Sequence, residues 1–111
     1  MKIIFLPADG APEFREIPNT PEACQELVGE VYEVVEITTK NWGFCKGFNI
    51  IHDDVGKNKK PNPYVGEFGA FGDAFICGID DINDDVFADV PDGVIGLLKI
   101  LNIDIEVTDN A

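Results

Sequence analysis

The sequence lacks several features that common catalytic and metal-binding sites need: it has no serine, a single histidine and no Cys-x-x-Cys pair. No Ser-His-Asp triad can form without serine, and a cysteine nucleophile would depend on His52 as its base. The three cysteines, Cys24, Cys45 and Cys77, are too widely spaced for a zinc knuckle or a redox pair. We therefore expect a protein that is not an enzyme, carries no cofactor and keeps its cysteines reduced as small hydrophobic residues.

Long apolar runs are also missing. Only four apolar residues stand between Lys2 and Pro7, which is too few for the core of a signal peptide. No stretch approaches the roughly 20 apolar residues that cross a bilayer. These absences predict a cytoplasmic protein with no membrane contact.

What the chain does contain suits one small acidic domain. Its 111 residues are typical of a single domain, here residues 1–111, and 45% of them are hydrophobic, enough for a real core. The net charge is −13, with +3 over residues 40–60 and −10 over residues 61–111. Because most of this surface should repel phosphate, we expect no direct contact with nucleic acid and favour a basic protein as partner.

The pattern of residues predicts an α+β fold. The motif Thr20-Pro21-Glu22, with Gly29 seven residues after Glu22, is typical of a capped helix that packs through Ala23 and Leu27, with Cys24 and Val28 as further candidates for its buried stripe. A second helix is indicated from Val94 to Leu101 by its apolar spacing. Strands are predicted at residues 2–6, 13–17, 31–37, 42–51, 73–79 and 103–107. The expected architecture is a mainly antiparallel mixed sheet of five or six strands with one or two packed helices.

A segment rich in aspartate, residues 80–92, has two interpretations. Five oxygen-bearing residues fall at positions 1, 3, 5, 9 and 12 of a calcium loop: Asp81, Asn83, Asp85, Asp89 and Asp92. Position 6, which should be glycine, is Val86, and position 12 is an aspartate instead of the longer glutamate. We therefore expect no tight calcium binding, although a divalent-cation site remains the alternative function. The other interpretation is a solvated loop in which Asp89 or Asp92 caps the following helix.

The same segment contributes to a predicted anionic face. Its members come from the loop and from the last predicted strand: Asp80, Asp81, Asp84, Asp85, Asp104 and Glu106. Carboxylates can replace phosphates before a groove lined with arginine and lysine, so this face fits a basic protein partner and the mimicry of DNA. The competing interpretation is solubility alone, because a net charge far from zero keeps small proteins apart.

Two stretches carry a resemblance to a known family. The run REIPNTPEACQELVGEVYEVV and the later NPY…GDAFICGID resemble a family of small bacterial and phage proteins known only as a domain of unknown function. The resemblance covers roughly residues 1–80; Gly29 matches the first of two family glycines, and Glu30 replaces the second. It implies a setting in phages, plasmids or integrated elements of Gram-positive bacteria, and it transfers no catalytic residue.

Overall fold

The computed structural model describes residues 1–38, 47–53, 60–80, 82–83, 86–91 and 93–96. The elements are, in chain order, β1 (Lys2–Leu6), β2 (Glu13–Glu16), α1 (Pro21–Val28), β3 (Tyr32–Thr38), β4 (Gly47–Asp53), a 3₁₀ turn (Gly66–Phe68), β5 (Ala74–Ile79) and β6 (Phe87–Ala88). Antiparallel pairing joins the strands in the order β2-β1-β5-β4-β3, and β6 pairs with β5. The predicted α+β class and the six-stranded antiparallel sheet are confirmed.

Both faces of the central strands β1, β4 and β5 are buried; β1 and β5 are apolar at almost every position, whereas β4 also buries Asn49, His52 and Asp53. On one face, here called the helix face, Ile3, Phe5 and Phe75 pack with α1. On the opposite face, here called the loop face, Ile4 and Phe48 pack beneath residues 64–70 and 90–95. Each fully buried Ile or Phe side chain contributes about 1.5–3 kcal/mol, so these two layers supply most of the stability.

Helix α1 begins and ends where the sequence predicts. The Thr20 hydroxyl accepts a hydrogen bond from the Ala23 backbone N–H at 3.2 Å, Pro21 occupies the first turn, and Gly29 follows the last turn with a φ of 136°. The packing differs slightly from expectation. Cys24 and Val28 are the deepest side chains, at 1% and 4% exposure, whereas Leu27 is only partly buried.

A buried asparagine connects the loop face to β1. The Asn62 side-chain amide donates to the carbonyl oxygens of Leu6 and Gly72, at 2.9 and 2.8 Å. Its side-chain oxygen accepts from the backbone N–H groups of Tyr64 and Val65, at 2.9 and 3.3 Å. The Asn-Pro-Tyr motif that resembles the family is therefore a structural clamp between the end of β1 and the loop that covers the sheet.

Strand β6 is not predicted by the sequence analysis, which treated residues 80–92 as a loop. After β6 the chain crosses the loop face directly over Gly78, so that Val90 enters the core. The Val90 N–H donates to the Lys2 carbonyl oxygen at 2.8 Å and anchors this crossing to β1. A glycine inside a strand commonly marks such a close approach of backbone.

Some predicted elements lie partly or wholly outside the described residues. The predicted strand at residues 42–51 is confirmed over residues 47–51 and continues to Asp53, while residues 42–46 lie outside the described part. The second helix begins at Val94 as predicted, and its continuation past Gly96 lies outside, as does the predicted strand at residues 103–107. Among the described residues, no helix is long and apolar enough to cross a membrane.

Cys24 and Cys77 are free, buried thiols on the helix face, and Cys45 lies outside the described residues. Burial raises the pKa of Cys77 from 9.0 to about 12, opposed in part by its hydrogen bond with Asn49. Burial also raises the pKa of Cys24. A thiol that keeps its proton at neutral pH is a poor nucleophile, so Cys77 packs as a hydrophobic residue.

The buried Cys77 thiol should make the protein less stable in alkali. The pKa of this thiol is raised in the folded state. Its contribution to the free energy of unfolding is therefore fully present below about pH 9 and is lost as pH rises toward about 12. The free energy of unfolding should fall by up to about 1.4 kcal/mol per pH unit through this group. Urea unfolding measured between about pH 8 and about pH 11 should show that the free energy of unfolding falls less steeply with pH in Cys77→Ala than in wild type. Val28→Ala, a truncation in the same cluster, should lower stability at every pH and keep the wild-type slope. Parallel declines of Cys77→Ala and wild type would contradict this account.

Candidate functional site

Helix α1 and strand β3 carry several acidic residues and no basic one. Residues 16–39 contain six glutamates and neither lysine nor arginine. Five of these glutamates are exposed side chains on or beside α1 and β3, and we call them the acidic edge: Glu22, Glu26, Glu30, Glu33 and Glu36. The sequence analysis placed the anionic face elsewhere, although the run of glutamates without a basic residue was readable.

Helix and strand geometry place these glutamates on two elements that adjoin. Glu22 and Glu26 are four residues apart and share a face of α1. Glu33 pairs across the sheet with His52, on the loop face, whereas Glu36 pairs with Asn49, on the helix face. The two glutamates of β3 therefore flank this strand from opposite sides.

The tyrosine at the start of β3 packs against the buried cluster that contains Cys24 and Val28 of α1, so the helix and the strand adjoin. The pKa of Tyr32 is raised first by burial, then by the charges of Cys24 and Glu22. The acidic edge therefore comes from two adjoining elements, with Glu36 on the same face of the sheet as α1 and Glu33 on the opposite face.

The single histidine points toward the acidic edge. His52 is 2% exposed, and its Nδ1 lies 3.0 Å from the Asp53 carbonyl oxygen and 3.4 Å from the Phe71 backbone nitrogen. Its Nε2 is buried without a hydrogen-bond partner among the described residues and lies 3.7 Å from a Glu33 carboxylate oxygen. The ring is therefore fixed on one side and directed at Glu33 on the other.

His52 does not form a catalytic pair with its neighbour in sequence. It lies on the loop face, whereas the Asp53 carboxylate lies beside Gly29 on the helix face. Successive side chains of a strand point to opposite faces, so His52 and Asp53 cannot act on one substrate atom.

The described carboxylates of the aspartate-rich segment bind backbone groups. An Asp80 oxygen accepts from the N–H groups of Ile82 and Asn83, at 3.0 and 2.9 Å, and so closes a turn before β6. Asp89 accepts from the Lys2 N–H at 2.8 Å and does not cap the helix at Val94 as one interpretation expected. The structure thus brings Asp80 and Asn83 together in one turn. The remaining predicted residues lie outside the described part: Asp81, Asp84, Asp85, Asp92, Asp104 and Glu106.

Neither of two further candidates for a binding site gives a clear ligand preference. Within the described ranges, no group of three or more His, Cys, Asp or Glu side chains could hold a metal ion. An open pocket of about 620 Å³ lies beside the β1–β2 turn and is lined in part by Lys60, Asp9 and Asp73. One Asp73 oxygen accepts from the Ala8 N–H at 2.8 Å, and the remaining charges are of mixed sign, so the pocket selects neither anions nor cations.

Comparison with known proteins identifies the family. A model of the domain of unknown function DUF3846 matches residues 1–102. The chain belongs to the DUF3846 family. The match extends past residue 80, so the whole aspartate-rich segment and β6 belong to the DUF3846 domain, whereas the resemblance noted from the sequence ended near residue 80. No curated protein and no solved structure matches the chain.

Proposed function

We propose that this DUF3846 domain is a non-enzymatic acidic accessory protein that acts by binding a basic protein partner. The acidic edge supports this proposal: five exposed glutamates lie on adjoining elements, with no lysine or arginine between residues 16 and 39. A surface with one sign of charge speeds association with a partner of opposite charge and rejects partners of like charge. The acidic edge is thus the first candidate for the binding surface.

The chemistry of such a surface also favours particular partners. Carboxylates accept charge-assisted hydrogen bonds from arginine and lysine, as phosphates do. A protein whose groove normally binds nucleic acid is therefore a suitable target, and the small domain would act on it as a mimic of DNA. We further propose that it serves a phage or another mobile element, for example in counter-defence, as the resemblance of residues 1–80 implies.

The absence of catalysis is part of the proposal and is supported by three observations. The chain has no serine, its only histidine faces away from Asp53, and burial raises the pKa of Cys77 to about 12. The alternative function, divalent-cation binding through residues 80–92, has less support. An oxygen of Asp80 and an oxygen of Asp89 each accept backbone hydrogen bonds, and Val86 stands where a calcium loop turns on glycine.

The proposal predicts that neutralising the acidic edge abolishes partner capture without unfolding the domain. The variant carries Glu22→Gln, Glu26→Gln, Glu33→Gln and Glu36→Gln, and it should lose proteins that wild type retains from a host lysate at low salt. Retention by wild type should weaken as salt rises, because exposed charges are screened beyond about 8 Å at physiological ionic strength. Thermal melting should give an unchanged or higher midpoint, since repulsion between like charges is relieved.

The matched control neutralises the aspartate-rich segment by Asp80→Asn, Asp81→Asn, Asp84→Asn and Asp85→Asn. This variant removes the same charge from the other candidate surface, so it should retain the partner. Loss of capture in the control and retention in the acidic-edge variant would move the binding site to residues 80–85. Retention by both variants would contradict a binding role for either surface and would leave solubility as their function.

A further inference from the structure

We propose that β3 binds an extended, basic segment of the partner as an additional antiparallel strand. This inference rests on the proposed function and names the mode of recognition. The incoming strand would place lysine or arginine opposite Glu33 and opposite Glu36. Backbone hydrogen bonds would give affinity, and the side chains would give specificity, as in other complexes formed by strand addition.

The position of β3 in the sheet supports strand addition. Within the described ranges only β4 pairs with β3, and the register is continuous from Tyr32 opposite Asp53 to Thr38 opposite Gly47. In an antiparallel edge strand, every second residue directs its N–H and C=O away from the sheet. The opposite edge strand, β2, has four residues, whereas β3 has seven and can form a longer ladder.

The side chains of β3 specify what such a strand should contain. Val34 is 40% exposed, and Val31, just before the strand, is 50% exposed. Glu33 and Glu36 are three residues apart and lie on opposite faces of the sheet. An antiparallel partner strand therefore requires a basic residue, two apolar residues and a second basic residue, in that order. Opposite charges directly across a ladder stabilise it by about 0.2–1 kcal/mol per pair.

Charge argues against the other occupants of this edge. If two copies paired symmetrically about Val34, Glu33 of each copy would stand opposite Val35 of the other, and Glu36 opposite Tyr32, so neither glutamate would meet a cation. The predicted strand at residues 103–107 carries Asp104 and Glu106, so it would add negative charge beside the glutamates of β3. Charged residues on an edge are a common barrier to unwanted strand pairing. A strand with basic residues can pair with β3 without this repulsion between like charges.

His52 provides an independent observation on the same edge. Its buried, unpartnered Nε2 is directed at Glu33, whose side chain is 55% exposed. The Glu33 carboxylate thus lies near an imidazole ring whose Nδ1 is fixed by backbone groups, and its side chain is still exposed enough to meet a cation.

The test uses the full chain and two seven-residue peptides of identical charge. The first has lysine at its third and sixth positions and valine or threonine elsewhere. The second has the same sequence with N-methyl groups on the amides that would pair with β3. In NMR titrations the first peptide should shift the amide resonances of β3 and slow the hydrogen exchange of these amides, and the second peptide should bind at least ten-fold more weakly. Glu33→Gln combined with Glu36→Gln should lower the affinity for the first peptide on the order of ten-fold, because two charge pairs are lost. Glu16→Gln with Glu67→Gln should leave its affinity unchanged.

Each other result would overturn the inference in a distinct way. Equal affinity for both peptides, abolished by salt, would leave the proposed basic partner intact and exclude strand addition. If neither peptide binds, strand addition is overturned and the proposed function loses its support at this surface. Slow exchange of the outward β3 amides in the peptide-free protein would show that the chain itself or a second copy covers the edge; sedimentation would distinguish these two occupants.

Discussion

Replacing Asn62 by alanine is expected to lower the free energy of unfolding by on the order of 3–4 kcal/mol. The side chain is 3% exposed and takes part in four hydrogen bonds with backbone groups. Alanine would leave the buried carbonyl oxygens of Leu6 and Gly72 without these donors, at a cost of about 1–3 kcal/mol each before relaxation. Urea unfolding monitored by circular dichroism measures this loss.

Two further variants establish the cause. Asn62→Asp keeps the shape and both acceptor bonds but turns a carboxylate oxygen toward two carbonyl oxygens, so at neutral pH it should be at least as unstable as the alanine variant. Asn19→Ala removes a single exposed hydrogen bond to Phe87 and should cost less than about 1 kcal/mol. If Asn62→Ala were no more destabilising than Asn19→Ala, the clamp would not hold the loop to β1.

Gly78→Ala is the second change expected to have a large effect. A Cβ at this position would overlap the Asp89 carbonyl oxygen and lie 3.2 Å from its carbon, both of which are backbone atoms. The crossing chain must then shift, which should cost on the order of 2–4 kcal/mol or detach β6 from β5. Chemical denaturation gives the cost, and hydrogen exchange at Gly78 and Ala88 reports whether the pairing persists.

The matched control is a glycine with open space around it. No described residue lies within 4 Å of a Cβ at Gly96, which is in the helical turn that begins at Val94. Gly96→Ala should therefore stabilise the protein by up to about 1 kcal/mol, through the helix propensity of alanine. Equal effects of the two substitutions would mean that the chain does not cross closely over Gly78.

Local signals allowed much of this fold to be predicted. Thr20, Pro21 and Gly29 determine the limits of α1 because capping depends on residues within one turn of the helix ends. Continuous apolar residues in β1 indicated a strand buried on both faces, which the structure confirms. These predictions succeeded because each depends on neighbours in sequence.

The remaining features depend on contacts between distant residues. Strand β6 has two residues and forms because the chain after Asp80 returns to β5, which no local pattern indicates. The partners of Asn62 are as many as 56 residues away, so its role could not be derived from the Asn-Pro-Tyr motif alone. The direction of His52 toward Glu33 likewise follows from the register between β3 and β4.

The anionic face predicted from residues 80–85, Asp104 and Glu106 stays a prediction, because most of these residues lie outside the described part. The density of aspartates in the sequence pointed to residues 80–92 and did not indicate the glutamates of α1 and β3. In the structure, Asp80 closes a turn and Asp89 accepts a hydrogen bond from the Lys2 N–H, while exposed glutamates lie on α1 and β3, which adjoin. Spacing along the chain did not show that α1 and β3 would adjoin.

The rate of association with the captured partner, measured as a function of salt, tests the central claim most directly. The account predicts that wild type associates quickly at low salt and at least about ten-fold more slowly at about 0.5 M salt. The variant with glutamine at positions 22, 26, 33 and 36 should associate slowly at low salt and respond weakly to added salt. The variant with asparagine at positions 80, 81, 84 and 85 should behave as wild type. If the glutamine variant associates at the wild-type rate with the wild-type salt dependence, the acidic edge is not the binding surface.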